Sequence, residues 1–222
     1  MAKGKLVVME GLDGSGKATQ TALLCEYLEK LGHKVKHVEF PDYREPSSAL
    51  VKMYLNKEFG SNPEDVNAYA ASSFYAVDRY ASYLRFWKKD YLAGTVIVAD
   101  RYTTSNAVYQ MEKTPWEDWN KYLAWLQDYE YEKLELPRPD LVLFLDMPTQ
   151  ISQKLLSGRY DGDEEKKDLH ESNVDFLARC RQTALFAAEK MGWHTVACSH
   201  LGEPRPIEAI QQDIQEIVSK EL

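Results

Sequence analysis

Residues 11–20 read GLDGSGKATQ and follow the apolar run Leu6-Val7-Val8-Met9. Gly11, Gly16 and Lys17 stand at the spacing G-x-x-x-x-G-K, that of a loop that wraps a phosphate chain. A glycine at 11 lets the chain turn sharply out of a buried strand. Gly14 and Gly16 keep side chains away, so that successive backbone N–H groups face an anion. A helix that starts near Lys17 adds its positive end, and the lysine adds a point charge on the β- and γ-phosphates. The candidate nucleotide contacts are therefore Gly11, Leu12, Asp13, Gly14, Ser15, Gly16, Lys17, Ala18 and Thr19. The pattern departs at Ala18, where a Ser or Thr hydroxyl normally helps to hold magnesium. Successive helical residues are turned by about 100°, so Thr19 is no substitute for that hydroxyl. It either reaches an α-phosphate oxygen or bonds the backbone of the first helical turn.

A second site of chemistry closes the apolar run TVIVAD. Asp100 is placed where a metal carboxylate belongs, at the end of a buried strand, holding magnesium directly or through water. Its neighbour Arg101 can clamp phosphate oxygens and neutralise charge that develops during transfer. An internal Asp–Arg pair that only shapes the turn is the competing reading, and the phosphate loop weighs against it. A third strand end, Phe40-Pro41-Asp42-Tyr43-Arg44-Glu45-Pro46, is a proline-stiffened loop that carries Arg44. Tyr75 and Arg79 share a helical face at i and i+4. They either stack on a base and donate to its carbonyl or form an ordinary stacked surface pair, and spacing alone favours the surface pair.

These residues need elements to hold them. Short β-branched runs at 6–10, 35–40, 95–100, 141–146 and 194–199 alternate with helical patterns at 17–31, 47–57, 64–92, 103–112, 115–133, 148–156, 170–191 and 206–220. The alternation predicts a five-stranded parallel sheet with helices on both faces, one α/β domain over residues 1–222. Ligands in such folds sit at the carboxyl ends of the strands, which is where the chemistry above falls. Trp116, Trp119, Tyr122 and Trp125 recur at helical spacing and read as a packing surface rather than a ligand box. The polar stretch SGRYDGDEEKKDLHE (157–171) reads as a mobile loop, either an inert connection or an active-site lid.

Composition narrows the partners. The chain has 35 acids against 27 bases, a formal charge of −8, which weighs against a nucleic-acid polymer and leaves a mononucleotide acceptable. No apolar run approaches the roughly 20 residues needed to cross a bilayer, and the start lacks the features of a signal peptide, so a cytoplasmic protein is expected. The three cysteines, Cys25, Cys180 and Cys198, are widely separated and form no C-x-x-C. They read as buried small apolar residues in a reducing compartment.

The segments GLDGSGKATQ, FPDY, FYAVDR, DRYTTSNAVYQ, LPRPDLVLFLDMP and KKDLHE, in this order from about residue 5 to 215, together resemble the thymidylate kinases. That resemblance implies a three-layer P-loop kinase fold with a lid at about 157–169, transfer of the γ-phosphate of ATP to dTMP giving dTDP with Mg2+ as cofactor, and a homodimer. It implies that Tyr75 stacks on the base, with a tyrosine where phenylalanine is usual. Arg79 would donate to the thymine 4-oxygen, Asn106 would contact the base, and Tyr109 would crowd the 2′ position. It places Asp13 near the sugar 3′-hydroxyl or a phosphate-bound water, and Tyr43, Arg44 and Arg101 around the acceptor nucleotide. Family members without a basic residue at position 14 generally bring cations from the lid, which here offers Arg159, Lys166 and Lys167. Lys17, Asp100, Arg101, Arg159 and Lys167 are then the expected catalytic group. Two other readings compete: a deoxynucleoside kinase that phosphorylates a 5′-hydroxyl, and an inactive nucleotide-binding relative acting through a partner protein.

Overall fold

The computed structural model describes residues 3–159, 169–170 and 173–221, with residues 157–159 described by their backbone alone. Five parallel strands form the central sheet: β1 (Leu6–Gly11), β2 (Val35–Glu39), β3 (Val96–Asp100), β4 (Leu141–Asp146) and β5 (His194–Ala197), in the order β2-β3-β1-β4-β5. Because side chains alternate across a strand, β1 feeds two cores at once. Leu6 and Val8 face one, Val7 and Met9 the other, and all four are fully buried. Burying each such side chain contributes about 1.5–3 kcal/mol, which explains why this strand is nearly all apolar.

The Val7/Met9 core is closed by α1 (Lys17–Lys30), through Leu24 and Leu28, and by the C-terminal helix, through Ile210, Ile214 and Val218. On the opposite face lie α2 (Ala49–Leu55), α3 (Ala68–Ser82), α4 (Lys88–Leu92), α5 (Thr104–Tyr109) and α6 (Trp119–Gln127) or the segments that join them, whereas α7 (Thr149–Arg159) adds Ile151 to the Val7/Met9 core, and α8 (Val174–Met191) again packs on the opposite face. The chain then makes a small antiparallel hairpin, β6 (Ser199–His200) with β7 (Glu203–Pro204), before α9 (Ile207–Glu221).

Several helices are shorter than their patterns predict. The 64–92 pattern opens with a 3-10 turn, Pro63–Asp65, and only then becomes α3, whose N-cap Asn67 accepts from the N–H of Ala70 at 2.9 Å. Asn satisfies one of the unpaired first-turn donors, so the helix starts where the cap stands. α3 runs into a π turn, Tyr83–Trp87, that buries Trp87 against Tyr83, Tyr91 and Tyr102. The 115–133 pattern likewise divides into a 3-10 turn, α6 and a π turn, Asp128–Lys133. The 103–112 pattern ends as α5 and the short 3-10 turn Met111–Lys113, and α8 begins after Asn173, whose side chain accepts from the N–H of Phe176. The fifth strand stops at Ala197, and Ser199–His200 pairs with the hairpin instead of extending the sheet.

Trp119 and Tyr122 are buried in the core and Trp125 packs against it, as a packing surface requires, but Trp116 is 63% exposed and touches Trp119 and Phe186 edge-on. Cys180 and Cys198 are buried and Cys25 is half-buried, all as free thiols. Burial raises Cys25 to about 11 and Cys198 to about 12, so neither is a ready nucleophile. No helix among the described residues is long and apolar enough to cross a membrane.

Candidate active site

A cleft of about 1080 Å³ opens at the carboxyl ends of β1, β2 and β3. Its floor is the loop between β1 and α1. Gly16, the N-cap of α1, has φ +89°, a left-handed conformation open to glycine at little cost. Gly14 has φ +77°, and a Cβ there would sit 2.6 Å from the carbonyl oxygen of Ser152 and 3.0 Å from Leu156 of α7. α7 thus occupies the space that a side chain at position 14 would need.

Lys17 is 8% exposed and turns back over the loop, donating to the carbonyl of Leu12 at 3.0 Å, with Asp13 at 3.9 Å. Burial first, and then Arg101, lower its pKa. Ala18 and Thr19 are both exposed and line the cleft, whereas Thr21 is buried on the other side of α1. Ser15 Oγ is buried without a hydrogen-bond partner among the described atoms.

Asp100 and Arg101 sit at the end of β3, beside the loop. Arg101 has φ +66°, unusual for a residue with a Cβ and worth roughly 1–2 kcal/mol of strain. Its N–H donates to the carbonyl of Met9 at 3.0 Å, and its side chain pairs with Asp13, donates to Tyr109 Oη at 3.3 Å and lies 3.7 Å from Glu10. Burial pushes the Asp13 carboxyl up, but Arg101, Lys17 and the Tyr109 hydroxyl outweigh it and hold the pKa below the usual range. Burial opposes the charge of Arg101, yet Asp13 and Glu10 among its neighbours hold its pKa well above the ordinary value. Both groups are therefore charged at neutral pH.

Glu10 did not stand out in the sequence. It is wholly inaccessible and accepts from Gly11 N–H at 3.0 Å, Thr104 Oγ1 at 2.6 Å and Ser105 Oγ at 2.8 Å. One carboxylate thus ties the phosphate loop to the N-terminal turn of α5. Its signal was an acid near the end of a strand otherwise buried and apolar.

The other end of the cleft is built around Arg79. It is not the surface residue that spacing favours: it is 1% exposed, and its Nε and Nη2 donate to both oxygens of Glu130 at 2.7 and 2.6 Å. Asn106 Nδ2 donates to the same carboxylate at 2.9 Å and to the carbonyl of Ser72 at 3.2 Å. Arg79, Asn106 and the half-buried Tyr75 all line the cleft. Glu130 comes from the π turn after α6 and carries no sequence signal of its own.

The β2 loop contributes Phe40, Pro41 and Tyr43 to the wall, and the Phe40–Pro41 peptide is cis. Asp78 of α3 fixes this loop by accepting from Asp42 N–H at 3.0 Å and Ser47 Oγ at 2.6 Å. Arg44 is placed apart: its side chain is 84% exposed and pairs with Asp42 at 3.1 Å rather than lining the cleft. Tyr109 donates to Asp13 at 3.0 Å, and His170, a residue the sequence left unremarked, stacks on its ring. Lys166 and Lys167 lie outside the described residues, as does the side chain of Arg159, whose backbone ends α7.

The acidic donors beside the loop, Asp100 and Asp13, supply oxygen only, which suits a hard cation such as magnesium. Among the described residues no group of three or more His, Cys, Asp or Glu is arranged to hold an ion unaided. An ion here would complete its shell with phosphate oxygens and water.

A glycine loop between a buried strand and a helix, with an Asp-Arg strand end beside it on a five-stranded parallel sheet, defines a P-loop kinase fold. A family model for thymidylate kinase matches residues 9–214. A probable thymidylate kinase of Thermococcus gammatolerans is 28% identical over 99% of this chain and 98% of its own. The thymidylate kinase of Plasmodium falciparum is 29% identical over 98% of this chain and 91% of its own, and the human one 27% over 96% and 89%. The solved thymidylate kinase of Candida albicans superimposes with a TM-score of 0.74 at 25% identity, covering 99% of this chain and 93% of its own. The chain belongs to the thymidylate kinase family and is an enzyme of that family.

Proposed function

We propose that the enzyme transfers the γ-phosphate of ATP to dTMP, giving ADP and dTDP. The observation that carries this reading is one cleft with phosphate-directed cations, Lys17 and Arg101, at one end and the Arg79, Asn106 and Tyr75 group at the other. The loop N–H groups and Lys17 hold the donor phosphates, while Arg101 bridges towards the acceptor. An oxygen of the dTMP phosphate attacks the γ-phosphorus in line, the bond to the β–γ bridging oxygen breaks, and ADP carries away the electron pair. Asp100, directly or through water, would hold a magnesium ion, which would help to neutralise phosphate charge. Arg101 already has its charge fixed by Asp13, so little reorganisation is needed as the transition state forms.

At the far end Tyr75 offers a ring to the base, with Arg79 as a donor to its carbonyl edge and Asn106 as a polar contact. Tyr109 and Asp13 would then meet the sugar, and Tyr43 the acceptor side, with Arg44 swinging in from the surface. Arg159, Lys166 and Lys167 are the cations assigned to the lid, where closure excludes water and suppresses wasteful ATP hydrolysis. ADP release with dTMP, thymidine, dUMP, dCMP and AMP as acceptors tests the assignment. Turnover should be highest with dTMP, and turnover of thymidine without dTMP contradicts it.

A homodimer is part of this reading. Val77, Tyr80 and Leu84 lie along one outer face of α3 and its π turn and are 42%, 39% and 46% exposed, a stripe suited to pairing with its own copy. Sedimentation at micromolar concentration should give twice the chain mass. Three free thiols fit a cytoplasmic, reducing setting.

A further inference from the structure

His170 is 6% exposed, although it lies in the segment just before α8 and lines the cleft. Its ring stacks on that of Tyr109, with centroids 5.3 Å apart and planes 10° from parallel. Its Nε2 shares a hydrogen bond of 3.0 Å with Tyr54 Oη. Tyr54, on α2, is 1% exposed and receives a further bond from Lys113 Nζ at 2.7 Å. Lys113 in turn donates to the carbonyl of Val66 at 3.1 Å. Phe176 of α8 closes another side of the imidazole, with ring centroids 5.1 Å apart. The preceding Leu169 is buried with Val51, Tyr54, Leu55 and Ala71.

These contacts hold the imidazole by its edge, its face and its backbone neighbour. A ring fixed in this way is a stop for whatever stacks on it. Tyr109 meets Arg101 at 5.2 Å and Asp13 through its hydroxyl, so its tip is held by charged groups that a bound nucleotide also contacts. When substrate competes for Arg101 and Asp13, the face of Tyr109 still has the His170 ring behind it.

We propose that His170 is a positioning residue that fixes the plane of Tyr109 and thereby the width of the acceptor sugar subsite, making the preference for a 2′-deoxy sugar depend on the imidazole stack. The proposal rests on the dTMP reading above. Tyr54 and Lys113 act one step further back, by holding the edge of the imidazole.

The test compares kcat/KM for dTMP with that for its ribose counterpart, ribothymidine 5′-monophosphate, in the wild type and in His170→Ala, His170→Gln, His170→Phe and Tyr54→Phe. Removing the ring in His170→Ala or His170→Gln should reduce the deoxy preference about tenfold, the size of effect expected when a small steric difference decides binding. His170→Phe keeps a flat ring and should keep most of the preference, and Tyr54→Phe should lose a smaller part of it. KM for ATP should stay within about twofold throughout, because the stack is on the acceptor side. If His170→Ala fails to fold, as judged by circular dichroism, the Gln and Phe variants decide. Equal preferences in the Gln and Phe variants, or an unchanged preference in a folded Ala variant, overturn the proposal. A wild type that phosphorylates dTMP but shows no deoxy preference overturns it while leaving the functional reading intact. A wild type inactive on dTMP overturns both.

Discussion

Arg79 and Glu130 form a bidentate ion pair, 2.7 and 2.6 Å long, with side chains 1% and 0% exposed, beneath the end of the cleft assigned to the base. Two residues 51 apart in sequence, on α3 and on the π turn after α6, are joined at this point. Neither charge is tolerable there alone. Glu130→Ala should lower stability by about 3–5 kcal/mol, the loss expected when one partner of a buried pair is removed. Arg79→Ala should do the same and should also raise KM for dTMP, losing a charged hydrogen bond worth about 1.5–3 kcal/mol. Denaturant titration and steady-state kinetics separate the two effects. An unchanged KM for dTMP with a raised KM for ATP places Arg79 in the other nucleotide site.

The second prediction concerns the metal. Ala18 supplies no hydroxyl, and Thr19 is exposed on a different side of α1 from the buried Thr21. Asp100→Asn should lower kcat by about 10²–10³-fold and raise the magnesium concentration needed for half-maximal rate. Thr19→Val should leave that concentration nearly unchanged, and Ala18→Ser should be tolerated, since it adds one oxygen in place of water. A shift with Thr19→Val as large as that with Asp100→Asn makes Thr19 the missing ligand.

The third is a pH dependence of stability. Burial, and then the charge of Lys113, lower His170 to about 3, with Asp13 raising it and Arg101 lowering it further. The unfolded chain binds this proton near pH 6.5 and the folded chain does not. Stability from His170 is therefore full above pH 6.5 and lost as pH falls towards 3, at up to about 1.4 kcal/mol per pH unit. Burial also lowers Lys113 to about 8, against upward pulls from Glu64, Cys180 and Glu112, so its contribution rises with pH between 8 and 10.5. His170→Phe should flatten the acid limb of Tm between pH 6.5 and 4.5, and Lys113→Met should remove the alkaline rise. Unaltered profiles mean that neither group is buried as described.

The fourth concerns Gly14. Its φ of +77° and the 2.6 Å approach of Ser152 O to any Cβ act together. Gly14→Ala should lower stability by about 1–2 kcal/mol from backbone strain, with a further loss from displacing α7. It should also raise KM for ATP more than KM for dTMP. Equal KM values for both in the variant and the wild type contradict the part given to α7.

Much of this site was legible because its signals are local. The phosphate loop is a contiguous run whose glycines answer to local backbone geometry, and Asp100-Arg101 is marked by the strand that it ends. The sheet was legible because its three central strands, β3, β1 and β4, are buried and carry little but apolar residues, while the edge strands β2 and β5 still show β-branched residues between helical patterns. Glu130 was not, because its meaning comes from Arg79, far away in sequence, and the same separation made Arg79 look like a surface residue. His170 was overlooked for a related reason: a lone histidine beside a polar loop has no periodicity to report that Tyr54, Tyr109 and Phe176 will surround it. Glu10 had a local signal, an acid near the end of an apolar strand, of the same kind as that of Asp100. The breaks in the long helical patterns arise from side-chain caps and π turns, which apolar spacing does not encode.

The central claim is that the γ-phosphate of ATP is passed to the phosphate of dTMP within one cleft. Incubation of the enzyme with ATP labelled at the γ-phosphorus, dTMP and magnesium, followed by separation of the nucleotides, tests it most directly. Label should appear in dTDP in equal amount to the ADP formed, and Arg101→Met should lower that rate by about 10²–10³-fold. Label recovered only as inorganic phosphate, or transferred to thymidine but not to dTMP, would contradict the account.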